Sequence, residues 1–242
     1  MDKPIPTVPA NGLSFPVLGQ GGWHIGEDLK KAENEMDALR LGLDLGLNLI
    51  DTAEMYGDGK SEELIGKALR GRKREEYLLV SKVYPHHAGK SNIFASCDAT
   101  LKRLNTDYLD LYLLHWRGSI PLQETVECME RLVKSGKIRR WGVSNFDTSD
   151  MEELLSIPDG KNCAVDQVLY NLGSRGIEYD LIPCLKSHNV VAMAYCPLAQ
   201  AGTLKRSQRD LRRDPVLVEI AEKYRISVMQ RSEERRVGKE CR

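Results

Sequence analysis

The chain has 242 residues, 41% of them hydrophobic, enough apolar material for one substantial core. Its 35 basic and 35 acidic residues cancel, so no excess charge directs it to nucleic acid or to an anionic membrane surface. No apolar run approaches a membrane span, and Met1 to Ala10 carry two charges and three prolines instead of the apolar stretch of a signal peptide.

The first predicted strand is the apolar run 15–18. A helix is predicted over 32–45, because Met36, Leu39, Leu43 and Leu47 recur every three or four residues and Gly46 stands where it should stop. The pattern then repeats. Strands at 47–50, 77–80, 109–114, 138–143, 163–168 and 190–194 alternate with helices at 62–69, 93–104, 122–133, 151–155 and 179–186, and a last helix covers 214–224. Ser61, Ser91 and Ser149 read as helix starts, the last with Glu152 at capping-box spacing; Gly71 and Gly136 read as helix ends.

Parallel strands joined by crossover helices explain this alternation. Near-continuous apolar strands imply a sheet covered on both faces. A closed barrel and an open doubly wound sheet both satisfy it. The nucleotide-binding open sheet needs a glycine-rich turn after its first strand. Gly19-Gln-Gly21-Gly22 comes nearest, but His24 takes the third glycine's place. The barrel is favoured: an α/β fold of the (β/α)8 TIM type. Seven strand runs are visible where eight are needed, so the barrel reads as incomplete, its eighth strand and C-terminal helix absent.

Polar groups end most of these runs: Asp51, Lys82, His115, Ser144 with Asn145, Gln167 and Tyr195. In a barrel these strand ends meet on one face, where barrel enzymes carry their chemistry. A lone polar residue at a strand end is ordinarily just leaving the core; the set is harder to explain that way. An acid, an ammonium and a phenol together suit proton donation. A tyrosine has a pKa of about 10. An ammonium at about 4 Å, with an effective dielectric near 20, favours the phenolate by roughly 4 kcal/mol, up to about three pKa units. The phenol is therefore expected to move towards working pH. Asp51 would keep Lys82 charged, and a histidine would place a carbonyl oxygen. No nucleophile or metal is required, but a hydride carrier is.

The six cysteines, Cys97, Cys128, Cys163, Cys184, Cys196 and Cys241, show no C-x-x-C pair and read as free thiols of a reducing cytoplasm. His86 and His87 are adjacent, and His24, His115 and His188 lack ligand-like spacing, so no metal site is expected.

At these residues the chain resembles the aldo-keto reductase family. The resemblance rests on Leu49-Ile-Asp51-Thr-Ala-Glu-Met-Tyr56-Gly, Asp58-Gly-Lys-Ser61-Glu-Glu-Leu-Ile-Gly66, Leu79-Val-Ser-Lys82 and Asp107-Tyr-Leu-Asp110-Leu-Tyr-Leu-Leu-His115-Trp116. It continues through Gly136-Lys-Ile-Arg139-Arg-Trp-Gly142-Val-Ser144-Asn145-Phe146, Gln167-Val-Leu-Tyr170-Asn171 and Ala194-Tyr195-Cys196-Pro197-Leu198. The similarity runs from about residue 12 to residue 230. It implies NADPH-dependent reduction of an aldehyde or ketone, with Tyr56 as proton donor, Lys82 and Asp51 tuning it, and His115 orienting the substrate. Ser144, Asn145 and Gln167 would bind the nicotinamide carboxamide, Tyr195 would stack on the ring, and Gly21 and Leu198 would complete the cofactor contacts. Trp23 and Trp116 would line the substrate pocket. The stretch 173–200 is similar to bacterial members acting on small reactive carbonyls such as methylglyoxal. Cys196 stands where the family often has serine, and Gly22 where threonine is commoner. A second reading stays open, since some members of the family serve as redox-sensing or regulatory subunits on membrane channels with the same residues.

The segment 231–242 departs from the pattern: it holds five basic and three acidic residues, one valine and one cysteine. It resembles the in-frame translation of a sequencing-library adapter and is expected to be an assembly artefact, leaving 1–230 as a truncated barrel. A barrel one strand short has two open edges. The 242-residue chain is therefore expected to be poorly soluble and nearly inactive, and the full-length gene product active.

Overall fold

The computed structural model describes residues 5–199 and 213–228. The chain begins as a hairpin, with strands β1 (Thr7–Ala10) and β2 (Leu13–Pro16) antiparallel and Val8 opposite Phe15. Asn11 and Gly12, between them, have φ of 43° and 81°. Two consecutive left-handed residues make the tight turn whose twist suits a hairpin, and asparagine and glycine are the residues that tolerate it.

This corrects the first predicted strand. Residues 15–18 do not enter the main sheet; its first strand is β3, only Gln20–Gly21. Apolar alternation is the same for a hairpin packed on a barrel floor and for a strand in its wall. The Asn-Gly pair was the distinguishing signal.

After β3 the elements alternate as predicted. They are α1 (Ala32–Asp44), β4 (Leu49–Asp51), α2 (Lys60–Ala68), β5 (Leu78–Val83), α3 (Ile93–Leu104), β6 (Leu109–Leu114), α4 (Leu122–Lys134) and β7 (Ile138–Ser144). Then come α5 (Thr148–Ser156), β8 (Val165–Leu169), α6 (Leu181–Ser187), β9 (Val191–Tyr195) and α7 (Pro215–Tyr224). The strands β3 to β9 lie side by side in chain order, every pair parallel. A doubly wound sheet reverses its order at a switch point; a barrel wall does not. Among the described residues the parallel wall has seven strands. The predicted tail at 231–242 lies outside them.

Three helix starts differ from expectation. The capping box of α5 is Asp147 with Asp150, two residues before the predicted Ser149. Asn92, not Ser91, precedes α3. Ser61 lies inside α2, where its buried hydroxyl donates to the Gly22 carbonyl at 2.8 Å and lies 2.9 Å from the Thr52 hydroxyl. Gly46, Gly71 and Gly136 follow their helices with left-handed φ, as predicted.

Strand alternation divides the core in two. One layer joins Leu79, Val83, Tyr112 and Leu114 to helix residues such as Ile65, Ile93, Met129 and Leu132. The other joins Leu49, Val80, Leu111, Leu113, Ala164 and Val165 to Ala10 and Phe15 of the hairpin. The hairpin thus covers the N-terminal ends of the strands. It is fastened by the Asn11 side-chain amide donating to the Asn162 carbonyl at 2.7 Å, and by the Arg140 guanidinium donating to the Asn11 carbonyl. A cavity of about 320 Å³ also opens at this end, between the ends of α2 and α3. Arg74 beside it is committed to the Tyr77 and Tyr108 carbonyls and to Asp110. Chemistry is left to the opposite end.

Phe15 is 2% exposed. Phe15→Ala should cost about 3–5 kcal/mol, the usual range for a buried phenylalanine. Denaturant unfolding of the full-length protein checks this; an unmoved midpoint would separate the hairpin from the core.

Candidate active site

The C-terminal strand ends gather four of the predicted groups around one charge. The ammonium of Lys82, on β5, is fully buried. It donates to both Asp51 oxygens at 2.9 and 2.8 Å, to the Thr52 carbonyl at 2.8 Å and to the Tyr56 hydroxyl at 3.2 Å. Asp51 ends β4 and Tyr56 opens the turn just beyond it. Three left-handed residues, Gly57, Asp58 and Gly59, fold this turn back into α2. At Gly59, whose φ of 89° favours glycine, a Cβ would also stand 2.7 Å from the Arg103 side chain and push it aside. Arg103 is held there by the buried carboxylate of Glu62, which also accepts from Ser81 at 2.6 Å. His115 follows β6, its ring 5.8 Å from the Tyr56 ring at 75°.

Burial acts on each of these groups. It pushes the Lys82 ammonium towards neutrality, but the Asp51 charge and the Tyr56 contact outweigh it, and the pKa is raised. Lys82 therefore stays charged. Burial and the Lys82 charge together lower His115 to about 3, so its imidazole is neutral. Tyr56 corrects an expectation. Its pKa is raised, because burial outweighs the Lys82 charge and Asp51 adds to the rise. The ammonium opposes the shift without reversing it, since desolvation penalises a phenolate that has not yet formed.

The other predicted positions form a second arc. Gln167, on β8, donates to Asp51 at 2.8 Å and so ties this arc to the first. The Ser144 hydroxyl donates to the Gln167 carbonyl at 2.7 Å. The Asn145 amide donates to the His115 carbonyl at 3.0 Å, and its oxygen accepts from the Tyr195 hydroxyl at 2.8 Å. Gly21 pairs in register with Asp51, and a Cβ there would meet nothing within 4 Å. Open space at Gly21, a buried His115 Nδ1 with no partner among the described residues, and amide and hydroxyl groups opposite suit a flat amide-bearing ring. Leu198 is half-buried in the turn after β9. Trp116 lies 4.9 Å from the His115 ring; Trp23 is half-exposed and stacks on His24 at 4.3 Å.

Sequence reasoning missed four participants. The Thr52 carbonyl is invisible to any side-chain pattern. The Met193 sulfur, 3.1 Å from the Gln167 amide, reads as ordinary core. Cys196 stands out in the sequence only as a replacement for the family's serine, yet it lies near enough to Tyr56 to raise its pKa. Glu54, given no role within the Asp51–Tyr56 motif, is buried. Among the described residues no three His, Cys, Asp or Glu side chains cluster as a metal would require.

A wall of parallel strands in chain order, with a charged lysine, a carboxylate, a protonated phenol and a neutral imidazole at its C-terminal end, is a barrel-type site with the groups that proton donation needs. The profile of the Aldo/keto reductase family matches residues 17–230, and the chain belongs to that family. Over 218 residues it is 55% identical to the methylglyoxal reductase YeaE of Escherichia coli (strain K12), covering 90% of this chain and 75% of that protein. A crystal structure of an aldo-keto reductase from Klebsiella pneumoniae in complex with NADPH superposes with a TM-score of 0.89 at 53% identity, covering 95% of this chain and 79% of that one. A putative voltage-gated potassium channel subunit beta of Schizosaccharomyces pombe (strain 972 / ATCC 24843) is 32% identical over 217 residues, covering 83% of this chain and 63% of that protein.

Behind the second arc lies a buried acid. Asp166 precedes Gln167 on β8 and is 0% exposed. Burial pushes its carboxyl up to about 8; the Phe146 N–H opposes this without reaching hydrogen-bond geometry, and Asp150 and Asp147 add to it. The folded chain therefore holds this proton more tightly than the unfolded chain does. That stability is complete below the ordinary value of 3.8 and is lost as pH rises towards about 8, at ~1.4 kcal/mol per pH unit. Asp166→Asn should gain in melting temperature on the parent as pH rises from 5 to 8. Parallel melting curves across that range would contradict the buried acid.

Proposed function

We propose that this protein reduces small aldehydes and ketones to alcohols with NADPH, and that Tyr56 gives the proton. The observation that carries the reading is the Lys82 ammonium, bonded to both Asp51 and the Tyr56 hydroxyl at 3.2 Å. NADPH, when bound, supplies the hydride. Everything else falls to the chain. Tyr56 is protonated at neutral pH, as a donor must be before turnover. As the carbonyl oxygen gains charge, the phenol proton passes to it, and the phenolate left behind is met by an ammonium already in place. Asp51 keeps that ammonium charged. His115, held neutral, orients the carbonyl oxygen through a ring N–H without adding a competing acid.

Ser144, Asn145 and Gln167 are the groups that would grip the carboxamide, with Tyr195 as the stacking face and Gly21 and Leu198 as flanking contacts. Trp23 and Trp116 would bound the substrate pocket. The similarity to a methylglyoxal reductase supports small reactive carbonyls as the substrate class. A regulatory channel subunit is the weaker reading, at 32% identity over 63% of that relative. No helix among the described residues is long and apolar enough to cross a membrane. Buried free thiols at Cys97, Cys128 and Cys163 suit a reducing cytoplasm. We take 1–230 as the barrel unit, with 231–242 outside it.

The test is NADPH consumption by the full-length protein with methylglyoxal and a panel of small aldehydes. Tyr56→Phe should lower turnover at least about 10²-fold, the low end for a lost general acid, while NADPH binding survives. Unchanged turnover would remove Tyr56 from the chemistry.

A further inference from the structure

Glu54 lies two residues before Tyr56, in the turn that carries the phenol. Its backbone N–H donates to the Lys82 carbonyl at 3.3 Å. Its carboxylate is buried and turns towards the neighbouring loop, where Oε1 accepts the Tyr84 backbone N–H at 2.7 Å and lies 3.1 Å from His87 Nδ1. From there the contacts run ring to ring. His87 meets Tyr84 edge-on at 5.6 Å, Tyr84 meets Trp116 edge-on at 6.1 Å, and Trp116 lies 4.9 Å from His115. One carboxylate therefore touches both routes into the site: the turn leading to Tyr56, and the aromatic wall ending at His115.

We infer that Glu54 is a positioning residue that fixes the gap between the Tyr56 turn and the Tyr84–Trp116 wall, and so the space in which a carbonyl meets phenol and imidazole together. The inference rests on Tyr56 as the proton donor for its kinetic consequence, but not for its structural one. A buried carboxylate serves this role better than an apolar residue. It accepts a backbone N–H and a ring nitrogen at one oxygen, which sets direction as well as distance. Its effect on the reaction passes wholly through Tyr56 and His115, because Glu54 bonds to neither of them.

Two measurements on the full-length protein test it. Hydrogen–deuterium exchange reads the clamp without any activity. In Glu54→Ala, amides at 84–88 and at 52–58 should both exchange at least tenfold faster than in the parent. In Glu54→Gln, which keeps an acceptor oxygen, both should stay near the parent. Release of 84–88 alone, or equal behaviour of the two variants, would overturn the clamp. Steady-state kinetics with methylglyoxal reads the consequence: kcat should fall at least tenfold in Glu54→Ala, with KM for NADPH unchanged, and recover in Glu54→Gln. Glu54→Ala should cost less in a Tyr56→Phe background than in the parent, since part of its effect passes through Tyr56. Full additivity there would overturn the inference. If Glu54→Ala does not fold, His87→Ala serves in both measurements, with a smaller loss of kcat expected and no change in either measurement overturning the proposal. Failure of Tyr56→Phe to lower turnover would strike the proton-donor reading and leave the exchange result to decide the clamp.

Discussion

The site is organised by one buried positive charge. An ammonium with no exposed surface is costly unless it is paired and hydrogen-bonded. Lys82 is answered by a carboxylate, a carbonyl and a phenol, all from the β4 end and the turn after it. The same charge reaches further. It adds to the burial that keeps the His115 imidazole neutral, and its partner Asp51 accepts the Gln167 amide, so the proposed proton side and cofactor side share a carboxylate. Removing the ammonium would therefore leave the partly buried Asp51 carboxylate without its counter-charge, held, among the described residues, only by the Gln167 amide.

The barrel topology makes that pairing possible. Asp51 and Lys82 are 31 residues apart in sequence, and Asp51 and Gln167 are 116 apart. Parallel strands in chain order bring their C-terminal ends to one side, so residues that end successive strands become neighbours. The hairpin covers the other end with Phe15, and apolar layers of Val80, Leu111 and Leu113 stand between that floor and the charged mouth. The lysine is thus kept from water below by packing, and above by the turn that carries Tyr56. The Arg103–Glu62–Ser81 cluster supports that turn from outside, through contact with Gly59.

Tyr56 shows how two effects on one group are weighed. Its neighbour lysine favours the phenolate, and its burial disfavours it more. The resting phenol is therefore firmly protonated, as the proposed donor must be. Its stabilising partner acts on the charge that appears during transfer, not on the resting state. An alkoxide is a much stronger base than a phenolate, so a donor of this kind still gives its proton downhill.

The amino-acid sequence by itself determined the alternating elements, the barrel over the doubly wound sheet, and the chemical kinds at the strand ends. Those features follow from short-range periodicity and from residue type, which the chain carries locally. It also held signals that were read differently. Asn11-Gly12 marked a hairpin upstream of the misassigned run at 15–18, and Asp147 with Asp150 formed the cap that Ser149 seemed to offer. The tertiary structure alone decided the first sheet strand, Gln20–Gly21, which is too short and polar to show in hydropathy. It alone decided that Glu54 is buried against a distant loop and that the Tyr56 pKa rises. The reason is the same in each case: desolvation and charge–charge energies depend on distance and burial in space, and no property of a residue or its sequence neighbours contains either.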